Sequence, residues 1–412
     1  MQWCFIVPRM SPDNAERRSG RANAMELNSR EGISASPAAR VDVPLLVPEL
    51  PTFESLKPYL RRIDAERWYS NFGPLVVDLE HRLAHTFVAD GISDVRVITV
   101  GNATAGLELA LRALNLPANS PVLVPAFTFV ATATAVLSAG LTPIVADVDT
   151  NTWLLTPEIA MKALSRADVR AVIPVCAFGC PQPAEGWSAF RRRTGIPVVI
   201  DAAAAFGNQR EPGPTCAVFS MHATKPLASG EGGFIVTRSR EFADDVRQMS
   251  NFGINLMRPD LAPIGSSTMI GTNAKLSEYH AAVGLASLDA WAHNARRRRE
   301  LYASYRAEIE AIAGLNSSWQ EAPIDCVRST CAFLLKSRSA RDRTEASLAT
   351  RGVATRRWYS PTVDRHPAFA RITHLPTPVA HDICDRLLGV PFYIGLSHSD
   401  RTRVVEAIAT RQ

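Results

Sequence analysis

The sequence predicts an α/β protein whose mainly parallel, mixed sheet lies between layers of helices. One observation is a set of short apolar runs rich in β-branched residues, at 95–100, 121–125, 144–149, 169–175, 198–203, 217–222 and 233–238. A second is that stretches of helical periodicity separate most of these runs. Near-continuous apolar strands joined by amphipathic helices are typical of a sheet covered on both faces. Ligands of such sheets bind at the carboxyl ends of the strands, so we expect the functional residues in the loops that follow these runs.

The elements group into a large domain and a smaller one. Residues 1–40 are rich in Arg, Ser, Ala and Asn without an apolar period, and we interpret them as a mobile extension outside the fold. Residues 41–289 form the predicted large domain, which begins with two amphipathic helical patterns. A long helical pattern after Leu276 leaves this domain, and residues 290–412 form the predicted smaller C-terminal α/β domain.

The composition is that of a globular enzyme. The chain has 412 residues, of which 46% are hydrophobic and 21% charged, whereas a disordered chain would be more polar. The excess of 45 basic over 40 acidic residues gives a net charge of +5, too small over this length to indicate nucleic-acid binding. We therefore expect a small-molecule partner and no nucleic acid.

The cysteines and the apolar segments predict a cytoplasmic protein without a metal. The seven cysteines are scattered and lack zinc-site spacing, and the apolar run before Pro8 is too short for a secretory signal. The uncharged stretch 126–146 is long enough to cross a membrane. Its threonines, Gly140 and Pro143 favour a buried helix followed by a buried strand, so we expect no membrane partner.

A small-residue loop follows the first predicted strand. It contains Gly101, Asn102, Ala103, Thr104 and Ala105, and the helical pattern LELALRAL comes next. Small residues at a helix N-terminus allow backbone N–H groups and a threonine hydroxyl to approach a phosphate. The alternative is that the Asn or Thr only caps the helix. Both interpretations stay open from these residues alone.

Two further loops place a carboxylate and an amine after buried strands. Asp201 ends an apolar strand and precedes four small residues, and a buried lone carboxylate requires a cationic partner. Lys225 lies in the loop HATKPLASGEGG after the next strand, which suits a lysine that forms a Schiff base, although for this residue alone a surface loop lysine is the favoured interpretation. A phosphate anchor, a carboxylate and a lysine are together the groups that pyridoxal phosphate needs.

Six segments resemble, in order and spacing, the successive motifs of the DegT/DnrJ/StrS family: GNATAGLELALRAL, VPAFTFVATATAVLSAGLTPIVADVD, VVIDAAAAFG, SMHATKPLASGEGGFIVT, NFGIN and GTNAKLSEYHAAVGLASLD. These proteins are nucleotide-sugar aminotransferases of fold type I that use pyridoxal 5′-phosphate, and the resemblance covers about residues 45–412. It implies a fold-type-I PLP-dependent transferase with a large PLP-binding domain. It also implies that Lys225 bonds to the cofactor and moves the proton of the amino acid, while Asp201 keeps the pyridine nitrogen protonated.

The resemblance implies further cofactor contacts. Phe129 would stack on the pyridine ring, the alternative being a buried aromatic residue at a helix start. Asn273 would reach the phosphate of the neighbouring subunit, which implies a homodimer with shared active sites. The full set of expected cofactor-binding residues is Asn102, Ala103, Thr104, Phe129, Asp201, Ala203, Ser220, His222, Lys225 and Asn273.

We therefore predict an aminotransferase that moves an amino group from an amino acid, by family expectation L-glutamate, onto a nucleotide-linked keto-sugar by a ping-pong mechanism. The acceptor most similar to the family pattern is a 4-keto-6-deoxyhexose, with C3 transfer and a keto-cyclitol left open. The expected substrate contacts are Asn71, Phe72, Phe178, Lys275, Arg357 and Tyr359. Two alternatives remain: a PLP-dependent sugar dehydratase or lyase, and a catalytically weak auxiliary homologue, since Ala103, Cys176 and Ala204 depart from the family pattern.

Overall fold

The computed structural model describes residues 41–89, 94–256 and 258–410; the predicted extension 1–40 lies outside them. The helices are α1 (Phe53–Glu66), α2 (Pro74–Ala89), α3 (Ala103–Arg112), α4 (Ala131–Ser138), α5 (Pro157–Ala163), α6 (Ala184–Thr194), α7 (Arg240–Met249), α8 (Glu278–Asp289), α9 (Trp291–Glu310), α10 (Arg338–Thr350), α11 (Pro378–Arg386) and α12 (His398–Ala409). The strands are β1 (Arg96–Val100), β2 (Pro121–Pro125), β3 (Thr142–Ala146), β4 (Ala171–Val172), β5 (Val199–Asp201), β6 (Cys216–Ser220), β7 (Gly233–Thr237), β8 (Cys331–Leu334), β9 (Thr373–His374) and β10 (Leu387–Val390).

The central sheet is mixed and mainly parallel, as predicted. Its strands run in the orders β1-β7-β6-β5 and β4-β2-β3-β9, and parallel bridges Val172–Val198 and Val175–Asp201 join β4 to β5. Strand β7 is antiparallel to β1 and β6, and the other pairings in these two orders are parallel. All seven predicted strands are confirmed. The sequence analysis did not predict β9, a two-residue strand from the C-terminal part of the chain.

Alternate residues of the strands face two separate cores. On β2, Val122 and Val124 belong to the core cluster that contains α3 and α4, whereas Leu123 belongs to the cluster on the opposite face with α2 and α8. This alternation follows from the two-residue period of a strand. Because helices cover both faces, the strands are apolar throughout, which explains the continuous apolar runs in the sequence.

Hydroxyl side chains fix the starts of several helices. An N-cap Ser or Thr whose oxygen accepts from a backbone N–H three residues later satisfies one of the helix's unpaired donors. Such caps precede α1, α5, α7, α8, α10 and α12, at Thr52, Thr156, Ser239, Ser277, Ser337 and Ser397. The uncharged stretch 126–146 contains α4 followed by β3, so the prediction of a buried helix and strand is confirmed. Across the described ranges, the structure contains no helix with the length and hydropathy of a membrane span.

The long helical pattern after Leu276 consists of two helices, α8 and α9, which meet at Ala290. Asp289 at the end of α8 accepts hydrogen bonds from Tyr59 and Arg82, both at 2.7 Å, which attaches α8 to α1 and α2. Residues beyond 290 form a third core together with Val43. Val43 precedes residue 290 but packs in the core formed by residues after it. Strand β9 follows residue 290 but pairs with β3 of the predicted large domain. The two-domain division therefore stays a prediction.

Candidate active site

Asp201 is the buried acid of the site. It ends β5 and is 5% exposed. Its Oδ2 accepts from the Thr132 hydroxyl at 2.8 Å, and its Oδ1 accepts from the Ala203 backbone N–H at 3.1 Å. Burial raises the pKa of Asp201 above 3.8, while these two hydrogen bonds and the charge of Lys225 lower it. The carboxylate therefore depends on its neighbours to stay ionised.

Lys225 lies in the loop between β6 and β7, within range of the Asp201 charge. The loop is closed by backbone bonds from the Lys225 N–H to the His222 carbonyl, at 2.8 Å, and from the Ala223 N–H to the Gly230 carbonyl, at 2.7 Å. Burial lowers the pKa of Lys225 below 10.5, and the Asp201 charge opposes this effect. The two predicted catalytic groups are thus close enough for each charge to act on the other.

A cavity of about 60 Å³ adjoins Lys225. Phe178 and Tyr359 form part of its wall and stack on each other, with ring centroids 5.4 Å apart and an angle of 7° between their planes. Burial raises the pKa of the Tyr359 phenol, and the nearby Asp201 charge raises it further, so this phenol stays protonated. The lining residues are Leu45, Leu46, Phe178, Ala204, Thr224, Lys225, Ser329, Thr330, Trp358, Tyr359, Val390 and Phe392.

The N-terminus of α3 lies beside the end of β6. Asn102 is the N-cap of α3, and its Oδ1 accepts from the Ala105 N–H at 2.9 Å, which confirms the capping interpretation of its side chain. Ala103 and Thr104 are the first helical residues, whose N–H groups have no intrahelical acceptor. A Cβ on Gly233 would meet the Ala103 nitrogen at 2.8 Å, and Gly233 pairs with Ser220 across the sheet. Ser220 and the start of α3 are therefore neighbours, and the Ser220 hydroxyl accepts from the His222 N–H at 3.2 Å.

The remaining predicted cofactor contacts occupy the margins of the site. Phe129 precedes α4 and is 50% exposed, so it is not a buried aromatic residue. The His222 ring bonds to the Thr224 hydroxyl at 2.8 Å, within its own loop. Asn273 accepts a 2.7 Å hydrogen bond from the Lys275 ammonium, which also lies 4.7 Å from the Phe252 ring.

Four predicted substrate contacts, Asn71, Phe72, Lys275 and Arg357, do not line the cavity at Lys225. Phe72 packs under the Arg247 guanidinium at 4.7 Å and lines a different cavity of about 500 Å³. The neighbouring Asn71 is exposed, with φ 60°. Arg357 bonds to Glu345 at 2.8 Å and to Asp342 at 3.1 Å, so two acids of α10 neutralise its charge. Both side chains already have partners within the chain, so the proposed function does not rely on them, and their role as substrate contacts stays a prediction.

Three buried polar residues, Thr128, Thr132 and Glu278, were not predicted from the sequence. Thr132 bonds directly to Asp201, and Thr128 bonds to Thr132 at 2.9 Å. Thr128 lies just before α4 and Thr132 is its second residue, so a pair of threonines around a predicted helix start was the available signal. Glu278 accepts from the backbone N–H groups of Leu75 and Val76 at 2.8 and 2.9 Å, a pairing more than 200 residues apart that no local pattern indicates.

The chain can be compared with known proteins. Residues 53–409 match the DegT/DnrJ/EryC1/StrS aminotransferase family. The chain is 32% identical to DesI, solved in the presence of its TDP-sugar product, with a TM-score of 0.79 over 91% of this chain and 94% of that one. It is 26% identical to the sugar aminotransferase CalS13 from Micromonospora echinospora, with a TM-score of 0.77 over 90% and 100%. Protein Rv3402c of Mycobacterium tuberculosis is 30% identical over 383 residues, 89% of each chain.

The fold and these likenesses define a PLP-dependent aminotransferase of fold type I. The chain belongs to the DegT/DnrJ/EryC1/StrS aminotransferase family. The predicted family, fold class, enzyme class and cofactor are confirmed. The chemistry of the site fits the cofactor, because an ionised carboxylate accepts about four hydrogen bonds and Asp201 has two within the chain, leaving capacity for a protonated ring nitrogen.

Proposed function

We propose that this enzyme transfers the amino group of L-glutamate to a nucleotide-linked 4-keto-6-deoxyhexose in two half-reactions of a ping-pong mechanism. The observation that carries the proposal is that Lys225, beside a cavity with aromatic walls, lies close enough to the buried Asp201 carboxylate for the two charges to interact. A sugar as acceptor is supported by DesI and CalS13, whose structures are described with a TDP-sugar product and as a sugar aminotransferase.

Three groups of this chain would bind the cofactor. The N–H groups of Ala103 and Thr104 and the hydroxyl of Ser220 would hold its phosphate, aided by the positive end of the α3 dipole. Asp201, whose charged form the Thr132 hydroxyl and the Ala203 N–H favour, would hold a proton on the ring nitrogen. Phe129 is half exposed, so its ring face is available for stacking. Pyridoxal phosphate, when bound, supplies an electron sink for the α carbon of the amino acid.

Lys225 would act twice. Its amine would first bond to the aldehyde carbon of the cofactor, and after release it would move the proton from the α carbon of the donor to the cofactor's C4′. A lysine does both only while its amine is neutral, and burial lowers the pKa of Lys225 in that direction. A lysine at position 225 also favours amino transfer over sugar dehydration, since some dehydratases of this fold carry histidine at that position.

The aromatic wall would receive the acceptor sugar. The stacked rings of Phe178 and Tyr359 and the indole of Trp358 present apolar surface beside Lys225. Such surface suits the C–H face of a deoxysugar better than it suits an anion. Lys275, a half-buried cation whose pKa is lowered by burial, is our candidate for the sugar diphosphate or for the donor carboxylate.

We also propose a homodimer with shared active sites. The segment 252–270 exposes five apolar side chains, Phe252, Leu256, Leu261, Ile264 and Ile270, at 47 to 81%. A contiguous set of exposed apolar residues indicates an interaction surface. This segment is joined to Asn273 through the Asn251–Asn273 bridge, so a partner on this surface would lie against the predicted phosphate contact.

Absorbance of the purified enzyme with pyridoxal phosphate tests the first half-reaction. We expect a visible band from lysine-bound cofactor that L-glutamate removes, with release of 2-oxoglutarate. The Lys225→Ala variant should lack the band, while Lys336→Ala, which alters an exposed lysine, should keep it. TDP-4-keto-6-deoxyglucose should then restore the band in the glutamate-treated enzyme.

The other outcomes separate the alternatives. A band that no amino acid removes, with consumption of the sugar nucleotide, would refute amino transfer in favour of a lyase. The absence of a band in the wild-type protein would favour an auxiliary homologue. A band removed by glutamate but restored only by a non-sugar keto compound would leave the aminotransferase in place and refute the sugar acceptor.

A further inference from the structure

We infer that Thr132 is a positioning residue for the reaction: its hydroxyl, itself oriented by Thr128, holds Asp201 ionised and in place opposite the cofactor's ring nitrogen. The three side chains form a continuous series, with 2.9 Å between the two hydroxyl oxygens and 2.8 Å between Thr132 Oγ1 and Asp201 Oδ2. The residues are 2%, 1% and 5% exposed, so solvent does not replace these bonds. The inference rests on the proposed function only through the role of Asp201.

The hydrogen bonds that join Thr128, Thr132 and Asp201 all donate in one direction, toward the carboxylate. A hydroxyl has a single proton to donate, and an ionised carboxylate only accepts. Thr132 therefore donates to Asp201, and Thr128 must supply the donor in the bond between the hydroxyls. If Asp201 were protonated at Oδ2, it would donate to Thr132 and the direction would reverse. Hydrogen bonds in such a chain polarise one another, so Thr128 strengthens the contact that it does not make itself.

The surroundings of Asp201 make this contact important. The titratable groups that act on it or are acted on by it are Lys225 from the β6–β7 loop, Cys176 from the segment after β4 and Tyr359 from the C-terminal part of the chain. The Cys176 thiol and the Tyr359 phenol are neutral, because burial raises the pKa of each. Lys225 is the one cation among these three, and its amine must be neutral to react.

Once Lys225 has reacted, hydrogen bonds are what the chain itself supplies to keep Asp201 ionised, beside the positive charge of a protonated ring nitrogen. Two are given by the chain, from Thr132 and from the Ala203 N–H. Thr132 is the second residue of α4, so the first turn of that helix, with its positive dipole end, lies beside the carboxylate. Phe129 lies between the two threonines, so one short segment would both stack on the cofactor ring and set the charge opposite its nitrogen.

The test uses four variants of the full chain loaded with pyridoxal phosphate. Thr132→Val removes the hydroxyl and keeps the shape, Thr132→Ser keeps the hydroxyl, and Thr128→Val removes the second donor. Thr134→Val is the matched control, because the Thr134 hydroxyl bonds only to the Val130 carbonyl on the exposed side of α4. The readouts are the apparent dissociation constant of the cofactor, from tryptophan fluorescence, and the protonation of its isotope-labelled ring nitrogen, from NMR.

We expect Thr132→Val to weaken cofactor binding by roughly tenfold or more, the effect of one hydrogen bond to a charged group, and to shift the ring nitrogen toward its neutral form. Thr128→Val should give a smaller change in the same direction. Thr132→Ser should restore both readouts, and Thr134→Val should equal the wild type.

Two results would overturn the inference. One is a Thr132→Val protein that matches the wild type in both readouts. The other is a Thr132→Ser protein as impaired as Thr132→Val, since packing rather than the hydroxyl would then explain the effect. If Thr132→Val does not fold, an unchanged ring nitrogen in Thr128→Val decides against the inference. A wild-type protein that binds no cofactor would instead refute the proposed function, and this inference with it.

Discussion

Replacement of Glu278 by alanine should strongly destabilise the protein. Glu278 is 1% exposed, and its carboxylate accepts from the backbone N–H groups of Leu75 and Val76 at the start of α2. These N–H groups have no intrahelical acceptor, and a negative charge beside them also favours the helix dipole. The backbone N–H of Glu278 in turn donates to the Tyr69 carbonyl at 3.0 Å. Glu278 is thus hydrogen-bonded to the backbone at both ends of the loop 69–73.

The magnitude follows from the two bonds that are lost. Each hydrogen bond to a charged group contributes about 1.5–3 kcal/mol, and the substitution leaves two buried N–H groups unpaired. We expect the free energy of unfolding to fall by roughly 3 kcal/mol or more, beyond the limit of about 2 kcal/mol for an ordinary N-cap.

Urea unfolding of the cofactor-loaded enzyme measures this change. Glu54→Ala is the matched control, because Glu54 also lies in the first turn of a helix but is 76% exposed and pairs only with Lys57, at 3.6 Å. It should change the free energy of unfolding by less than about 0.5 kcal/mol. A loss below about 1 kcal/mol for Glu278→Ala, or one equal to that of Glu54→Ala, would refute the reasoning.

Three other outcomes are expected. Covalent capture of pyridoxal phosphate by Lys225, followed by absorbance, should rise with pH to a midpoint below 10.5, because burial lowers the pKa of this amine; a midpoint at or above 10.5 would contradict this. Arg357→Ala should leave the KM for the acceptor unchanged, since two acids of α10 already bind the guanidinium; a large rise in KM would restore Arg357 as a substrate contact. Although burial raises it, the pKa of Asp364 lies below 3.8, because the ring of His381 bonds to this carboxylate at 2.6 Å. This stabilisation is fully present above 3.8 and is lost as the pH falls through the lower, folded-state pKa. Asp364→Asn should therefore lower stability by about 2 kcal/mol at neutral pH and converge with the wild type in acid, as denaturant titrations at several pH values would show.

The strands and the central acid–amine pair were predictable because their signals are local. An apolar run of five or six residues bounded by small residues has few alternatives to a buried strand, and Asp201 is conspicuous as a charge at the end of one. The loop with Lys225 follows the next strand, so parallel topology alone brings the two residues to the same sheet edge.

The contacts around this pair were less predictable because they depend on packing between distant segments. Arg357 and Phe72 looked like free ligands in the sequence, yet acids of α10 and the Arg247 guanidinium bind them. β9 has two residues, too short to show a period of two. The bond between Thr132 and Asp201 joins residues 69 apart, and it becomes visible only once α4 is packed against β5.

The segment at Leu45 and Leu46 has a practical consequence for work with this enzyme. These side chains line the cavity at Lys225, and the segment is anchored by a 3.0 Å bond from the Phe392 N–H to the Leu45 carbonyl. The region that matches the family begins only at residue 53. A protein that begins at residue 53 would lack Leu45 and Leu46 and therefore one wall of the cavity at Lys225. It would nevertheless keep the whole region that matches the family.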